Sequence, residues 1–297
     1  MLSEKKTARI AVMVSGGGTN LQALLDAQCL KEMAIELGHE EDLPELQAEI
    51  DLLTKVVNER LWSEEDAFYY DEYRSGKLNG VKSVAAYWAL LAEIVPEDRL
   101  ERFVAHLDNE KEFKRPNRVP TLSADNPYYV EKGGYWRGAI WAPTNYMILR
   151  GLEANGYDAM AHDIAQACVD HATKVFLDTD TLWENYAPEV PSPGIRDEDW
   201  ICAKDFVGWT GLLPISVLYE YIMGIKSDPV HHRLRWDVRL TEEHGIVDYP
   251  FGEEPITLRC EARASLDEEP VITVEASCPI EVEIVWHGGR KVLTLNK

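Results

Sequence analysis

Two short stretches carry residue types that could do chemistry together. The first is Tyr135-Trp136-Arg137-Gly138-Ala139-Ile140-Trp141-Ala142-Pro143-Thr144-Asn145-Tyr146. Flat aromatic faces stack on the C–H faces of sugar rings, and Arg137 and Asn145 offer fixed hydrogen-bonding forks for hydroxyls. The second is Trp183-Glu184-Asn185-Tyr186. A carboxylate flanked by aromatic side chains is desolvated, which suits general acid–base work at a glycosidic bond. Trp209, in Gly208-Trp209-Thr210, is placed to complete an aromatic wall. Such chemistry normally uses a second carboxylate, and Asp71, Asp125 and Asp205 sit in no segment that marks any of them for that role.

The elements around these stretches read as helices. Leu46, Ile50, Leu53, Val57 and Leu61 form one amphipathic stripe. Val84, Trp88, Leu91 and Val95 form another, which Pro96 ends. Glu97 to Leu107 is a shorter helix. Lys111 to Gly134 reads as a long polar loop with three prolines, Pro116, Pro120 and Pro127. Pro143 to Asn155 is helical, with Gly156 as C-cap, and Asp158 to Phe176 follows. Leu177 to Lys204 is a second long loop. Thr210 to Ile225 is apolar on nearly every side and should be buried. Helices joined alternately by short turns and long loops suggest stacked hairpins. After about Asp228 the period changes to two, giving five or six short strands expected to pair antiparallel.

Composition excludes several classes. The formal net charge of −22 disfavours nucleic acid and anionic membrane surfaces, which require clustered Lys and Arg. No apolar run is long enough to span a membrane. The run Ile10 to Val14 is too short for a secretory leader, so a cytoplasmic setting is expected. The five cysteines are scattered and include no C-x-x-C pair, which fits reduced thiols and gives no metal site. No cofactor is expected.

Residues from about Leu30 to Ile225 resemble the C-terminal half of the (α/α) toroid of glycoside hydrolase family 63 and its relatives. These include processing α-glucosidases, mannosylglycerate hydrolases and trehalases. The resemblance rests on Tyr135 to Tyr146, Trp183 to Tyr186, Gly208 to Thr210 and the pair Asn58-Glu59-Arg60-Leu61-Trp62 and Phe68-Tyr69-Tyr70-Asp71, in that family's pattern. It implies a mainly α fold: an incomplete (α/α)6 toroid followed by a small antiparallel β module. It implies inverting hydrolysis of an α-linked glucoside or mannoside, with Glu184 as general base. Tyr135, Trp136, Arg137, Trp141, Asn145, Trp183, Tyr186 and Trp209 would bind the sugar. The family's general acid lies in the N-terminal half of the toroid, which has no counterpart here. The chain would then be a truncated glycosidase, or a sugar-binding remnant without turnover. Open toroid edges would need cover from an oligomer or a partner, because each large side chain left exposed forgoes about 1.5–3 kcal/mol of burial.

Ala8 to Ala27 is different. A strand, the turn Ser15-Gly16-Gly17-Gly18-Thr19-Asn20 and a helix start resemble the opening of phosphoribosylglycinamide formyltransferase. That likeness implies phosphate contacts from Gly18, Thr19 and Asn20 at a helix N-terminus. The formyltransferase catalytic segment is not found in the chain. The turn is neither a P-loop nor G-x-G-x-x-G. Three segments are therefore expected: 1–29, 30–227 and 228–297.

Overall fold

The computed structural model describes residues 20–197 and 200–296. The first helix, α1 (Asn20–Leu37), runs without a break across Cys29 and Leu30. Leu21 and Leu24 enter the core, and Leu25 packs against it. Gly38 turns the chain with φ +72°, a left-handed conformation that glycine adopts without strain. Helix α2 (Leu43–Val56) follows, with Pro44 in its first turn, where a missing N–H costs nothing. The expected stripe is its inner face: Ile50, Leu53 and Leu61 are half-buried and Val57 is fully buried. A π-turn over Val57–Leu61 ends α2. There Asn58 bonds Thr54 O (3.1 Å) and Ile94 O (2.8 Å) and accepts from Tyr69 Oη (2.6 Å).

A small hairpin pairs β1 (Trp62–Ser63) with β2 (Phe68–Tyr69). The stripe from Val84 to Val95 is not one helix. A 3-10 turn covers Val84–Tyr87, α3 spans only Trp88–Leu91, and Glu93 takes φ +53°. Helix α4 (Glu97–Val104) begins after Pro96 and tightens into a 3-10 turn through Asp108. Helices α5 (Ala142–Ala154) and α6 (Asp158–Thr179) match expectation, with Gly156 at φ +79° between them. Phe68, Tyr87, Phe103 and Phe113 form an aromatic nest in the main core; Tyr87 and Phe103 stack at 4.8 Å.

A short pair, β3 (Ile195–Asp197) and β4 (Trp200–Ile201), lies in the second loop. The apolar segment expected as one α-helix over Thr210–Ile225 is instead a 3-10 turn (Trp209–Leu212) and a π-helix (Leu213–Ile222). Its final bond, Met223 N to Leu218 O at 2.8 Å, has the wider i→i+5 spacing. Ile225 already belongs to strand β5 (Ile225–Asp228).

The tail holds β5, β6 (Arg233–Asp237), β7 (His244–Tyr249), β8 (Ile256–Cys260), β9 (Ile272–Ala276), β10 (Ile280–Trp286) and β11 (Gly289–Leu295). They form a four-stranded sheet in the order β11-β10-β6-β5 and a three-stranded sheet β7-β8-β9. The expectation of a wholly antiparallel module is corrected here, because β10 pairs with β6 in parallel. The chain between them first builds β7–β9, and a crossover of that length is what parallel neighbours require. Trp236, Leu258, Val282 and Ile284 fill the module's own core. The fold is mainly α-helical, with this β module at its C-terminal end. Among the described residues no helix is long and apolar enough to cross a membrane.

In the segment read as a polar loop, Lys111 to Gly134, the stretch from Glu112 to Ser123 is largely buried. Phe113, Val119 and Leu122 supply apolar contacts, while Glu112, Asn117, Arg118, Thr121 and Ser123 are buried polar residues. Backbone groups of this segment are met at long range. Asn117 N donates to Pro188 O (2.9 Å) and Ser123 N to Lys82 O (3.1 Å). Burial alone would raise the Glu112 carboxyl, but hydrogen bonds from His106 (2.5 Å) and Lys82 hold it below the usual carboxylate range.

Arg115 clamps this loop to the next one through Glu189, with Nε to Oε1 at 2.7 Å and Nη2 to Oε2 at 2.8 Å; Tyr129 Oη adds a bond of 2.6 Å. The Arg115 hydrogen bonds hold the Glu189 carboxyl below its ordinary range. A depressed folded pKa gives stabilisation that is full above the unfolded value and is lost as pH falls through the folded one. Glu189→Gln is therefore expected to cost about 1–3 kcal/mol near neutral pH. The gap to wild type should narrow as pH drops below about 4. Urea titrations of both proteins at several pH values measure this, and a pH-independent gap would refute the assignment.

Candidate active site

Two backbone bridges bring the chemical stretches together. Ile140 N donates to Tyr186 O (2.9 Å), and Tyr186 N donates to Ile140 O (3.0 Å). A second bridge joins Trp183 to Lys204, with Glu184 N bonded to Ala203 O at 2.9 Å. The turn ahead of α5 is wound tightly. Val130 N reaches Arg137 O (2.8 Å), and Gly133, Gly134, Tyr135 and Gly138 all have positive φ. A Cβ on Gly138 would sit 2.9 Å from both the Tyr129 ring and Val130 O, so only glycine fits there.

This winding places Tyr135 beside Glu184. Tyr135 Oη donates to Glu184 Oε1 at 3.1 Å, and Ala203 N donates to Oε2 at 3.2 Å. The Glu184 carbonyl accepts from Trp209 Nε1 at 2.9 Å, which locks that indole to the same backbone. Thr210 Oγ1 holds the Trp183 carbonyl at 2.8 Å. The half-buried carboxylate is therefore fixed on both oxygens while retaining acceptor capacity on each.

An aromatic cluster flanks it. Trp136 stacks on Trp141 at 4.6 Å with planes 5° apart. Trp141 meets Tyr135 edge-on (4.8 Å, 84°) and Trp209 at 5.6 Å. Phe206 backs Trp209 at 4.8 Å. Trp136 is 55% exposed and Trp209 39%, whereas Trp141, under Trp136, is 2% exposed. The open faces are thus those of Trp136 and Trp209, with Trp141 as their foundation.

Other expected site residues lie elsewhere. Asn145 is 1% exposed, in the first turn of α5, where its Nδ2 bonds Arg118 O and Cys168 Sγ (3.2 Å). It ties α5 to α6 and the buried loop. Trp183 packs on the helical core with Nε1 on Thr179 Oγ1 (2.9 Å). Tyr186 is 2% exposed, and burial pushes its hydroxyl up to about 12. The chain bends at Glu184, so these neighbours turn inward and Tyr135 is the aromatic residue that touches the carboxylate. Arg137 is exposed, and its carbonyl closes the turn. Gly18 and Thr19 lie outside the described residues, and of Asn20 only its place as the first residue of α1 is described.

Asp205 accepts from Thr181 Oγ1 (2.7 Å), and Asp125 from Ser123 Oγ (2.6 Å). Among the described residues no group of three or more His, Cys, Asp or Glu is arranged to hold a metal ion. A cavity of about 1090 Å3 opens at the other end of the helices, lined among others by Gln28, Trp88, Arg150, Glu153, Glu220 and Lys226, and it includes none of the aromatic cluster. Arg196, Trp200 and Phe206 join the site without having been singled out from sequence. Arg196 and Trp200 lie in the second loop and Phe206 just after it, and nothing in their spacing marked them.

Residues 14–200 match the family described as "mannosylglycerate hydrolase MGH1-like glycoside hydrolase domain". An "uncharacterized protein" of Borreliella burgdorferi is 25% identical over 79% of this chain and 51% of its own length. A probable mannosyl-oligosaccharide glucosidase of Schizosaccharomyces pombe is 25% identical over 62% of this chain and 24% of its own. A mannosylglycerate hydrolase of Thermus thermophilus is 29% identical over 36% of this chain and 26% of its own. The chain thus spans about half or less of the length of these relatives. Among solved structures, a GH63 mannosylglycerate hydrolase of Thermus thermophilus in complex with Tris superposes with a TM-score of 0.55 at 20% identity, over 67% of this chain and 44% of that one. A GH78 family rhamnosidase of Bacillus superposes with a TM-score of 0.61 at 19% identity, over 90% and 25%. These structural likenesses are of fold.

Proposed function

The chain belongs to the mannosylglycerate hydrolase MGH1-like glycoside hydrolase domain family, and from that premise we propose that it carries the water-activating side of an inverting glycosidase site. The observation that carries the reading is the Glu184 carboxylate, held by Tyr135 Oη and Ala203 N beside the exposed Trp136 and Trp209 rings. The substrate class is an α-linked glucoside or mannoside, in keeping with glucosidases, mannosylglycerate hydrolases and trehalases among the relatives. Trp136 is the platform for a pyranose face. Glu184 takes a proton from water as the water attacks the anomeric carbon from the side opposite the leaving oxygen.

Inversion also needs a carboxylic acid roughly 6.5–9.5 Å away to protonate that oxygen. Among the described residues none is assigned that role. A further part of the toroid, on the same polypeptide or on a partner, would supply it, and without that acid the site would bind sugar with little turnover.

The test is a hydrolysis screen with aryl α-glucosides and α-mannosides, run beside tryptophan-fluorescence titrations with the free sugars. Sugar binding that quenches Trp136 supports the site, and turnover supports the enzyme. Absence of both overturns the reading. Trp136→Ala should weaken sugar binding about threefold to tenfold. Its half-exposed ring should make that substitution nearly neutral for the thermal midpoint.

A further inference from the structure

We propose that Arg196 is a positioning residue for Glu184, fixing the Tyr135 ring whose hydroxyl holds the carboxylate. The inference rests on the reading of Glu184 as the base. Tyr135 has φ +63°, a left-handed backbone that a non-glycine residue keeps only when its surroundings enforce it. The enforcing contacts are visible. Trp141 abuts one edge of the ring at 4.8 Å, Glu184 takes the hydroxyl, and the Arg196 guanidinium lies over the face at 4.8 Å.

Arg196 is itself placed by backbone. Its strand β3 is zipped to the start of the Tyr135 turn: Ile195 N donates to Lys132 O at 2.8 Å, and Ile195 bridges Gly133. The paired strand β4 presents Trp200, whose ring lies 5.3 Å from the same guanidinium. A cation lying over two aromatic rings suits Arg better than Lys, because a planar guanidinium can stack on rings as well as carry charge. This gives a role to Trp200, which is otherwise an unexplained large apolar side chain at 62% exposure. The charges felt by the Tyr135 hydroxyl agree with the geometry. Burial raises it, Glu184 raises it further, Arg196 opposes that rise, and Cys202 adds slightly to it.

The experiment follows the Tyr135 Cζ resonance through a pH titration in protein labelled with 13Cζ-tyrosine, assigned by its loss in Tyr135→Phe. Four chains are compared: wild type, Glu184→Gln, Arg196→Gln and the double variant. With Arg196 present, Glu184→Gln should lower the pH at which Tyr135 ionises. With Arg196 replaced by Gln, that response should vanish, because the ring is no longer held against the carboxylate. Arg196→Lys should restore it only in part. An undiminished response to Glu184→Gln in the Arg196→Gln background overturns the proposal. The readout needs no turnover, so it fails or succeeds separately from the hydrolase reading. Where turnover is found, Arg196→Gln should lower kcat by up to about 10²-fold at little changed KM.

Discussion

Wherever hydrolysis of an α-glucoside or α-mannoside is found, Glu184→Gln is expected to lower it by about 10²–10⁴-fold, with KM nearly unchanged. The carboxylate oxygens are the only atoms altered, and the amide occupies the same volume. Tyr135 Oη still finds an acceptor at Oε1. The Ala203 N–H, now facing an amide NH2, loses its partner at Oε2. That loss is worth about 0.5–1.5 kcal/mol at most in this half-exposed place, so the variant should fold and bind sugar. What it cannot do is take a proton from water. Tyr135→Phe should have a smaller effect, since the Ala203 N–H still orients the carboxylate. The measurement pairs initial rates with a thermal melt of the same samples. Undiminished turnover by Glu184→Gln, with the fold intact, would remove Glu184 from the chemistry. Following the anomer first released by 1H NMR adds a second check, because a retained configuration contradicts a water-activating base.

The parts of this site that were legible in the sequence are those where residue type alone forces a consequence. Gly133, Gly134 and Gly138 ahead of Pro143 are residue types that allow a wound turn opening a helix, and all three take positive φ there. Glu184 stood out as the carboxylate of an aromatic loop, and it accepts from Tyr135, whose ring meets Trp136 and Trp141. Orientation was not legible. Asn145 lies in a first helical turn that reaches either the mouth or the core, and its periodicity cannot say which; contacts with Arg118 and Cys168 decide it. Trp183 and Tyr186 flank Glu184 in sequence, but a bend at Glu184 sends them inward. The buried loop around Glu112 looked polar because its partners, Lys82 and Pro188, come from distant positions. The strand pattern of the tail showed alternation but not pairing, so the parallel β6–β10 contact could not be read from it. A segment with so few polar residues has little to fix its helical repeat, which is why Leu213–Ile222 gave no sign of π spacing.

The second large effect concerns stability, and it falls on Gly224, between the π-helix and β5. Its φ is +74°, and a Cβ there would sit 1.9 Å from Asp237 O and 2.7 Å from Asp237 C. Neither backbone can retreat freely. Asp237 N donates to Gly224 O at 2.8 Å, β5 is in register with β6 from Ile225 opposite Trp236, and Trp236 Nε1 is tied to Met223 O at 2.8 Å. Gly224→Ala is therefore expected to cost roughly 3–5 kcal/mol, the sum of left-handed strain and a backbone overlap. That is a large share of a typical total of about 5–15 kcal/mol. Gly156→Ala is the built-in control. Its φ of +79° is nearly the same, but nothing lies within 4 Å of the added carbon, so it should cost only about 1–2 kcal/mol. Equal losses for the two variants in urea denaturation would sink the steric argument. The consequence reaches the site, because the helical run that ends at Gly224 begins at Trp209 and Thr210, whose side chains bond the Trp183–Glu184 backbone. Loosening its far end should therefore blunt the Trp209 fluorescence response to sugar even where the helical core stays folded, and an unchanged response would confine the damage to the β module.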